Sequence, residues 1–191
     1  MRITLAITGA SGAGFGAAVA RRLAGNAQVA QVTLLLSPTG RRCLSDECGL
    51  RLEDLLALSP KVRHLDERNL GADIASGSAP QDAMAIVPCS AGTLGRIASG
   101  VSESLVSRAA DVCLKERRTL VLCVRETPLN RIHLENMLRV HDAGAVVMPP
   151  MPGFYHHPGG LEDLFQAFAT RVLDQLGLPE ADARRWTGTP R

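Results

Sequence analysis

The stretch RITLAITGASGAGFG, residues 2–16, decides the fold class of this chain. It opens with an apolar run over residues 2–8, which is typical of a strand buried on both faces of a sheet. A glycine-rich turn follows, and apolar residues then recur at helical spacing from Ser11 to about Gly25. A buried strand that leads through such a turn into a helix is the first part of a βαβ unit.

The same alternation of strand and helix continues along the chain. Further strands and helices are predicted, the strands at 32–37, 83–88, 119–124 and 143–149, the helices at about 39–48, 91–99, 103–117, 129–142 and 161–176. This pattern predicts an α/β fold, a Rossmann-like or flavodoxin-like doubly wound parallel sheet sandwiched by helices. Residues 49–82 carry no clear pattern. No linker divides the sequence, so we expect a single domain over residues 1–191, with a partly extended tail from about residue 179.

The composition limits the classes of function. Hydrophobic residues make up 46% of the 191 residues and charged residues 21%, as in a globular protein. Aromatic residues make up only 3% and the net charge is +2, which argues against binding of nucleic acid. No apolar run approaches the roughly 20 residues of a membrane span. Five scattered cysteines, an odd number, predict reduced thiols in a cytoplasmic protein.

The sequence predicts no metal site. Cys43 and Cys48 lack the second pair of ligands that a zinc site requires. His156 and His157 are adjacent, and two adjacent histidines cannot easily bind one ion.

Ligands of doubly wound sheets bind outside the carboxyl ends of the strands. The unusual polar residues of this chain fall at those ends: Gly9-Ala10-Ser11, Ser37, Ser90 with Thr93, Arg125-Glu126, and Tyr155 in the Pro/Gly-rich loop after the last strand. We therefore expect a ligand site at this edge of the sheet.

Each of these motifs also has a plain structural interpretation. The glycines at residues 9–16 suit a phosphate at a helix N-terminus, or a tight turn alone. Ser90 and Thr93 suit a phosphate, or helix capping. Arg125 and Glu126 suit a phosphate-binding cation beside a proton-transferring carboxylate, or an ion pair near the surface.

Three further residues bear on the kind of chemistry. Ser37 stands where an NAD site has an acidic residue for the ribose, so a nicotinamide dinucleotide is less favoured than another phosphate ligand. Cys89 is compatible with a nucleophile, but a buried small thiol is more common. Arg171 lies in the middle of a predicted helix, where a solvated helix face is the plain interpretation.

Several segments together resemble the UbiX-type flavin prenyltransferases. They are GASGA (9–13), ASGS (75–78), PCSAGT (88–93), RAADVCLKERR (108–118), RETPLNRIHLENML (125–138), PGFYHHP (152–158) and VLDQLG (172–177). The resemblance runs from residue 3 to about residue 178 with order and spacing kept, and it is most specific over residues 108–157.

The resemblance implies an enzyme that transfers a dimethylallyl group from dimethylallyl monophosphate to N5 and C6 of reduced FMN. The product, prenylated FMN, would serve a UbiD-type decarboxylase, often in ubiquinone biosynthesis. The family works without a metal and typically assembles as a homododecamer.

The resemblance also implies a role for each matching residue. The FMN-binding positions are Gly9, Ala10, Ser11, Ser37, Ser90, Ala91, Gly92, Thr93 and Arg125. The prenyl phosphate would be held by Lys115, Arg125, Tyr155 and Arg171, with Trp186 beside the prenyl group. The catalytic candidates are Glu126 as acid/base, Glu47 as a further acidic position, Ser11 and Lys115.

One departure and several alternatives qualify the resemblance. Ala91-Gly92 stands where many members have Met-Lys or Met-Asn, so a side chain that could touch the flavin is absent here. Flavin-dependent cysteine decarboxylases share the fold, but PCSAGT and PPMPGFYH lack the asparagines of their motifs. A flavin carrier without chemistry would need neither Glu126 nor the cations. A nicotinamide oxidoreductase is a further alternative.

Overall fold

The computed structural model describes residues 1–180, 185–186 and 188 of the chain. The described part contains six strands, β1 (Arg2–Ile7), β2 (Gln31–Leu36), β3 (Val62–His64), β4 (Ala83–Cys89), β5 (Thr119–Val124) and β6 (Val146–Val147). It also contains seven α-helices, α1 (Ala13–Gly25), α2 (Pro38–Cys48), α3 (Leu52–Leu56), α4 (Ala91–Ala98), α5 (Leu105–Lys115), α6 (Arg131–Asp142) and α7 (Leu161–Gln175), and one short 3-10 helix, Asp73–Ala75.

All six strands are parallel and form one sheet in the order β3-β2-β1-β4-β5-β6. This is the doubly wound order of a Rossmann fold, and it confirms the predicted α/β class. The order reverses between β1 and β4, because the chain adds strands in one direction up to β3 and in the other direction from β4 onward. The carboxyl ends of β1 and β4 are therefore the expected position of a ligand.

The sheet is covered on both faces, which explains why its strands are continuously apolar. On one face, Leu5 and Ile7 of β1 pack in a core with α1 and α7. On the other face, Met84 and Ile86 of β4 pack with α4 and α5. All four side chains are fully buried. Burial of each such side chain stabilises the fold by roughly 1.5–3 kcal/mol.

Two strands differ from the prediction. β3 lies in the segment that carries no pattern, because three residues are too few to show a period, and its pairing with β2 comes from the tertiary fold. β6 has 2 residues, Val146–Val147, and not the predicted run from 143 to 149. Gly144 adopts a positive φ of 106° before it, and Pro149 after it has no N–H to donate to a neighbouring strand.

Helix α6 begins at Arg131, two residues later than predicted. Asn130 is the N-cap, and its Oδ1 accepts a hydrogen bond from the His133 amide at 2.9 Å. Pro128 therefore precedes the helix and is not part of its first turn.

The predicted extended tail falls largely on residues 181–184, 187 and 189–191, which lie outside the described residues. None of the helices in the described part combines the length and the hydrophobicity needed to cross a lipid bilayer.

Candidate functional site

The helices that begin at the carboxyl edge of the sheet include α1 after β1, α2 after β2 and α4 after β4. Their N-termini carry partial positive charge and amide donors. Ser37 caps α2, because its Oγ accepts from the Gly40 amide at 3.0 Å. Ser90 caps α4 in the same way, through the Thr93 amide at 3.3 Å. Both serines therefore act as helix caps, and both lie at the carboxyl edge of the sheet.

A cleft of about 370 Å³ lies between these helix ends. Gly9, Ser37, Ser90 and Thr93, all FMN-binding positions by the resemblance, line it. Gly9 has no room for a side chain, because a Cβ at this position would lie 2.6 Å from the Cβ of Thr39. The close approach of Thr39 explains why the turn after β1 requires glycine.

Thr8 joins the two turns that border the cleft, the one after β1 and the one before α4. Its side chain is buried, and its Oγ1 donates to the Pro88 carbonyl at 2.9 Å. The same oxygen accepts from the Ser90 amide, also at 2.9 Å. These bonds continue the connection between β1 and β4 past the last backbone pair of the ladder, and they attach the N-cap of α4 to β1.

The first turn of α4 lies beside the cleft, between the lining residues Ser90 and Thr93. Within the part of the chain that the structure describes, the amides of Ala91 and Gly92 have no acceptor. Arg96 lies one turn further along, and its Nη2 donates to Thr93 Oγ1 at 3.4 Å. Two free amides, a helix N-terminus and a guanidinium are the donors that a phosphate group prefers.

The N-terminus of α1 already holds a carboxylate. Glu47 of α2 accepts through Oε2 from the amides of Gly12 and Ala13, at 2.8 and 2.9 Å. Ser11 is exposed beside this carboxylate. Glu47 thus caps α1 at the carboxyl edge of the sheet.

Sequence reasoning missed several residues of the cleft, namely Thr39, Glu67, Arg96, Glu103 and Ser104. Glu67 follows β3, whose existence the sequence did not indicate. Burial raises the pKa of the Glu67 carboxyl, and the nearby Asp66 raises it further. Arg96 was detectable, because it lies three residues after Thr93 and so on the same face of α4.

Arg125 and Glu126 follow β5, next to the cleft. The Arg125 amide donates to the Cys89 carbonyl at 3.0 Å, which places Arg125 beside the start of α4. Glu126 is exposed, and its Oε1 accepts from the Thr127 amide at 3.0 Å. Among the described residues, neither side chain forms an ion pair. The alternative of a self-satisfied ion pair therefore does not hold, and both charges remain for a ligand.

Cys89 has the properties of a structural thiol. It is fully buried, and burial raises the pKa of its thiol to about 12. A thiol with so high a pKa is not a nucleophile at neutral pH.

Tyr155, Trp186 and Arg171 lie in a second group, formed by the loop after β6, α7 and the C-terminal tail. The rings of Tyr155 and Trp186 meet edge to face with centroids 5.7 Å apart. Arg171 of α7 binds Asp174, which also binds Arg185 of the tail. The structure thus brings together three of the residues that the resemblance assigns to the prenyl donor.

Lys115 lies apart from both groups. It is the last residue of α5, and β5 starts four residues later, so Lys115 lies near the amino ends of the strands. Arg125 follows the carboxyl end of the same strand β5. Lys115 pairs there with Glu116 beside Gly77. A single chain therefore does not bring Lys115 to the cleft.

A model of the Flavoprotein family matches residues 1–163. The Flavin prenyltransferase UbiX of Methanothermobacter thermautotrophicus is 45% identical over 97% of this chain and 95% of its own length. The chain belongs to the UbiX-type flavin prenyltransferases, within the Flavoprotein family.

Two solved structures show how far the similarity of this UbiX-type chain extends. AnUbiX (PadA1), crystallised with FMN and dimethylallyl pyrophosphate, has a TM-score of 0.92 and 42% identity, covering 99% of this chain and 98% of its own. The dodecameric FMN-dependent UbiX-like decarboxylase from Escherichia coli O157:H7 has a TM-score of 0.92 and 41% identity, covering 98% and 100%.

The cleft of this UbiX-type chain fits FMN. Its phosphate is an anion, and the donors near it would be Arg96 and the amides of Ala91 and Gly92, which have no acceptor among the described residues. The hydroxyls of Ser37 and Thr93 can form hydrogen bonds with the polar groups of FMN. For metal ions, no group of three or more His, Cys, Asp or Glu in residues 1–180, 185–186 and 188 is placed to bind one.

Proposed function

We propose that this chain is a flavin prenyltransferase, which transfers a dimethylallyl group from dimethylallyl monophosphate to N5 and C6 of reduced FMN and releases prenylated FMN. The observation that carries the proposal concerns Arg125 and Glu126, which form no ion pair among the described residues. They lie beside the first amides of α4, which have no acceptor in the same part of the chain. The UbiX relatives and the complex of AnUbiX (PadA1) with FMN and dimethylallyl pyrophosphate support it.

The cleft between the helix ends would hold FMN. We assign binding to backbone and hydroxyl groups of Gly9, Ala10, Ser11, Ser37, Ser90, Ala91, Gly92 and Thr93, and to Arg125. Ala91 and Gly92 have no long side chain to offer the flavin, and their two amides, which have no acceptor in the described part of the chain, would bind it instead. When bound, reduced flavin supplies the nucleophilic N5 and C6 atoms.

The prenyl donor would meet cations and one proton-transferring group. Loss of phosphate leaves an allyl fragment with cationic character, so donors on the leaving oxygens lower the barrier. Lys115, Arg125 and Arg171, with the phenol of Tyr155, would supply these donors without a metal. Glu126 would move a proton at the phosphate oxygen, and Ser11 one at the flavin.

Assembly would complete the site. The UbiX-like protein of Escherichia coli O157:H7 is dodecameric, and we propose a homododecamer for this chain too. The side chains of Ile132, Leu134 and Leu138 on α6 are 65%, 53% and 59% exposed, which gives the chain an apolar surface to bury. Since Lys115 lies away from the cleft of its own chain, it would act in the site of a neighbouring protomer.

The product would pass to a UbiD-type decarboxylase. We place the reaction in the cytoplasm, and the support is that all five cysteines are free thiols.

Anaerobic incubation with reduced FMN and dimethylallyl monophosphate tests the proposal, followed by mass spectrometry of the extracted flavin. We expect a flavin heavier by one dimethylallyl unit, and an unchanged FMN mass would refute the proposal. A parallel incubation with dimethylallyl diphosphate shows which of the two donors the protein prefers. Carbon dioxide release from an aromatic acid without any UbiD-type partner would instead indicate a decarboxylase.

A further inference from the structure

We infer that Asp174 is a positioning residue for the prenyl donor, because it ties Arg171 of α7 to Arg185 of the C-terminal tail and so fixes Trp186 against Tyr155. The inference rests on the proposed function for the identity of the ligand. The contacts themselves do not depend on it. We call Arg171, Asp174 and Arg185 the Asp174 cluster.

The geometry of the cluster is that of a shared carboxylate. Arg185 binds Asp174 with both arms of its guanidinium, Nη1 to Oδ2 at 2.8 Å and Nη2 to Oδ1 at 2.7 Å. Arg171 Nη1 reaches the same Oδ2 at 2.5 Å. The Asp174 side chain is only 11% exposed, whereas those of Arg171 and Arg185 are 52% and 40% exposed. One nearly buried anion therefore orients two cations that remain open to solvent.

The charges of the cluster suit an anionic ligand. Two guanidinium groups around one carboxylate leave a net charge of +1, and each keeps N–H donors that Asp174 does not use. The hydrogen bonds and charge of Arg185, with the charge of Arg171, hold the pKa of Asp174 below its usual range despite some burial. Arg171, Asp174, Arg185, Pro179 and Glu180 line an open depression of about 610 Å³. A phosphate group fits such a pair of forked donors.

The same contact determines where the tail places its aromatic residue. Trp186 directly follows Arg185, and its indole meets the Tyr155 ring at an interplanar angle of 75°. Docking of Arg185 on Asp174 thus puts an aromatic face beside a phenol, next to two cations. An aromatic face stabilises positive charge, which develops on the allyl group as phosphate leaves.

A second contact holds the start of the tail from the other side. Arg22 of α1 pairs with Glu180 and donates from Nε to Gln166 Oε1 at 2.8 Å. Glu180 is thereby anchored to α1 and α7, a few residues before Arg185. The described part of the tail therefore has two anchors, Glu180 on Arg22 and Arg185 on Asp174.

Kinetics of two variants test the inference. In Asp174→Asn and Arg185→Ala we expect the KM for dimethylallyl monophosphate to rise about 10-fold or more, the effect of one charge-assisted hydrogen bond. FMN affinity and the thermal midpoint should stay near the wild-type values. The double variant Asp174→Asn/Arg185→Ala should have a KM within about twofold of that of Asp174→Asn alone. The effects of two substitutions are not additive when the two residues act through each other.

The matched control is Glu135→Gln, which removes a carboxylate from an exposed pair with Arg131. An equal rise of the KM in this control would overturn the inference. If Asp174→Asn lowers the thermal midpoint, Arg185→Ala in the tail carries the test, because the tail lies outside the core.

Fluorescence gives a readout that is independent of turnover. Trp186 is the sole tryptophan of the sequence, so emission anisotropy of the FMN-loaded protein reports the mobility of the tail. We expect lower anisotropy in Asp174→Asn and Arg185→Ala and wild-type anisotropy in Glu135→Gln. Unchanged anisotropy in both variants would refute the tail contact. If the wild type forms no prenylated flavin, the proposed function fails, while the anisotropy still decides whether Asp174 fixes the tail.

Discussion

Replacement of Glu47 by alanine would separate its structural role from a chemical one. The carboxylate accepts from two amides at the start of α1, at 2.8 and 2.9 Å. Loss of a capping acceptor costs roughly 0.5–2 kcal/mol, and loss of the negative charge at a helix N-terminus costs about 0.3–1 kcal/mol more. The sum is about 1–3 kcal/mol. For a domain of this length that corresponds to a fall of roughly 3–10 °C in the thermal midpoint.

Glu47→Gln provides the second measurement. Its amide oxygen still accepts the two hydrogen bonds, so only the charge is lost and about 0.3–1 kcal/mol of stability with it. Differential scanning calorimetry of both variants gives the thermal midpoints, and prenyl transfer is measured on the same samples.

The control is Asp46→Ala on the same helix, whose carboxylate pairs with the exposed Arg42 and with no other described cation. Such a pair contributes roughly 0.3–0.5 kcal/mol. If the thermal midpoint of Glu47→Ala equals that of Asp46→Ala, the capping argument is wrong. If Glu47→Gln keeps its midpoint but loses prenyl transfer, Glu47 has a chemical role in addition to the cap.

Three more predictions concern the reaction and the thiols. Glu126→Gln should bind FMN normally, by flavin titration, and slow prenyl transfer about 10²–10⁴-fold; normal turnover would remove Glu126 from the mechanism. Lys115→Ala and Glu126→Gln, each impaired alone, should recover activity when co-assembled, since some sites then combine an intact lysine and glutamate from different protomers. No recovery would argue against a shared site. Because burial raises the pKa of Cys89 to about 12, its thiol is protonated at pH 8, so iodoacetamide should label the partly exposed Cys43 before Cys89 in the native protein. Peptide mass spectrometry reads the order, and early labelling of Cys89 would contradict its burial.

The order and type of most elements could be predicted because the pattern is local. The apolar run before Gly9 and the helical spacing after it are visible in one window of sequence. β3 could not be predicted, since Val62–His64 becomes a strand only by pairing with β2. The predicted start of α6 is too early because Pro128 suits a first turn, whereas the hydrogen bond of Asn130 decides the boundary.

The candidate site was predictable where it follows strand ends and not where it depends on three-dimensional contacts. Gly9, Ser37 and Ser90 each follow an apolar run directly, so topology alone brings them together. Glu67 follows an unpredicted strand, and nothing in the sequence indicates that it lines the cleft. The separation of Lys115 from the cleft follows from the direction of α5. A match between this sequence and the family pattern does not reveal that direction.

The hydroxyl of Thr8 has a consequence for how the cleft meets its ligand. Since Thr8 Oγ1 bonds both Pro88 and Ser90 at 2.9 Å, the turn before α4 is held by the residue that follows β1, one of the two central strands of the sheet. A turn held in this way has little conformational entropy left to lose when a phosphate arrives. Thr8→Val, nearly equal in shape, would leave the Ser90 amide without that acceptor. The turn would then have to become ordered when the ligand binds. In titration calorimetry, the binding entropy of FMN would therefore be less favourable in the variant than in the wild type, although the contacts with the ligand stay similar.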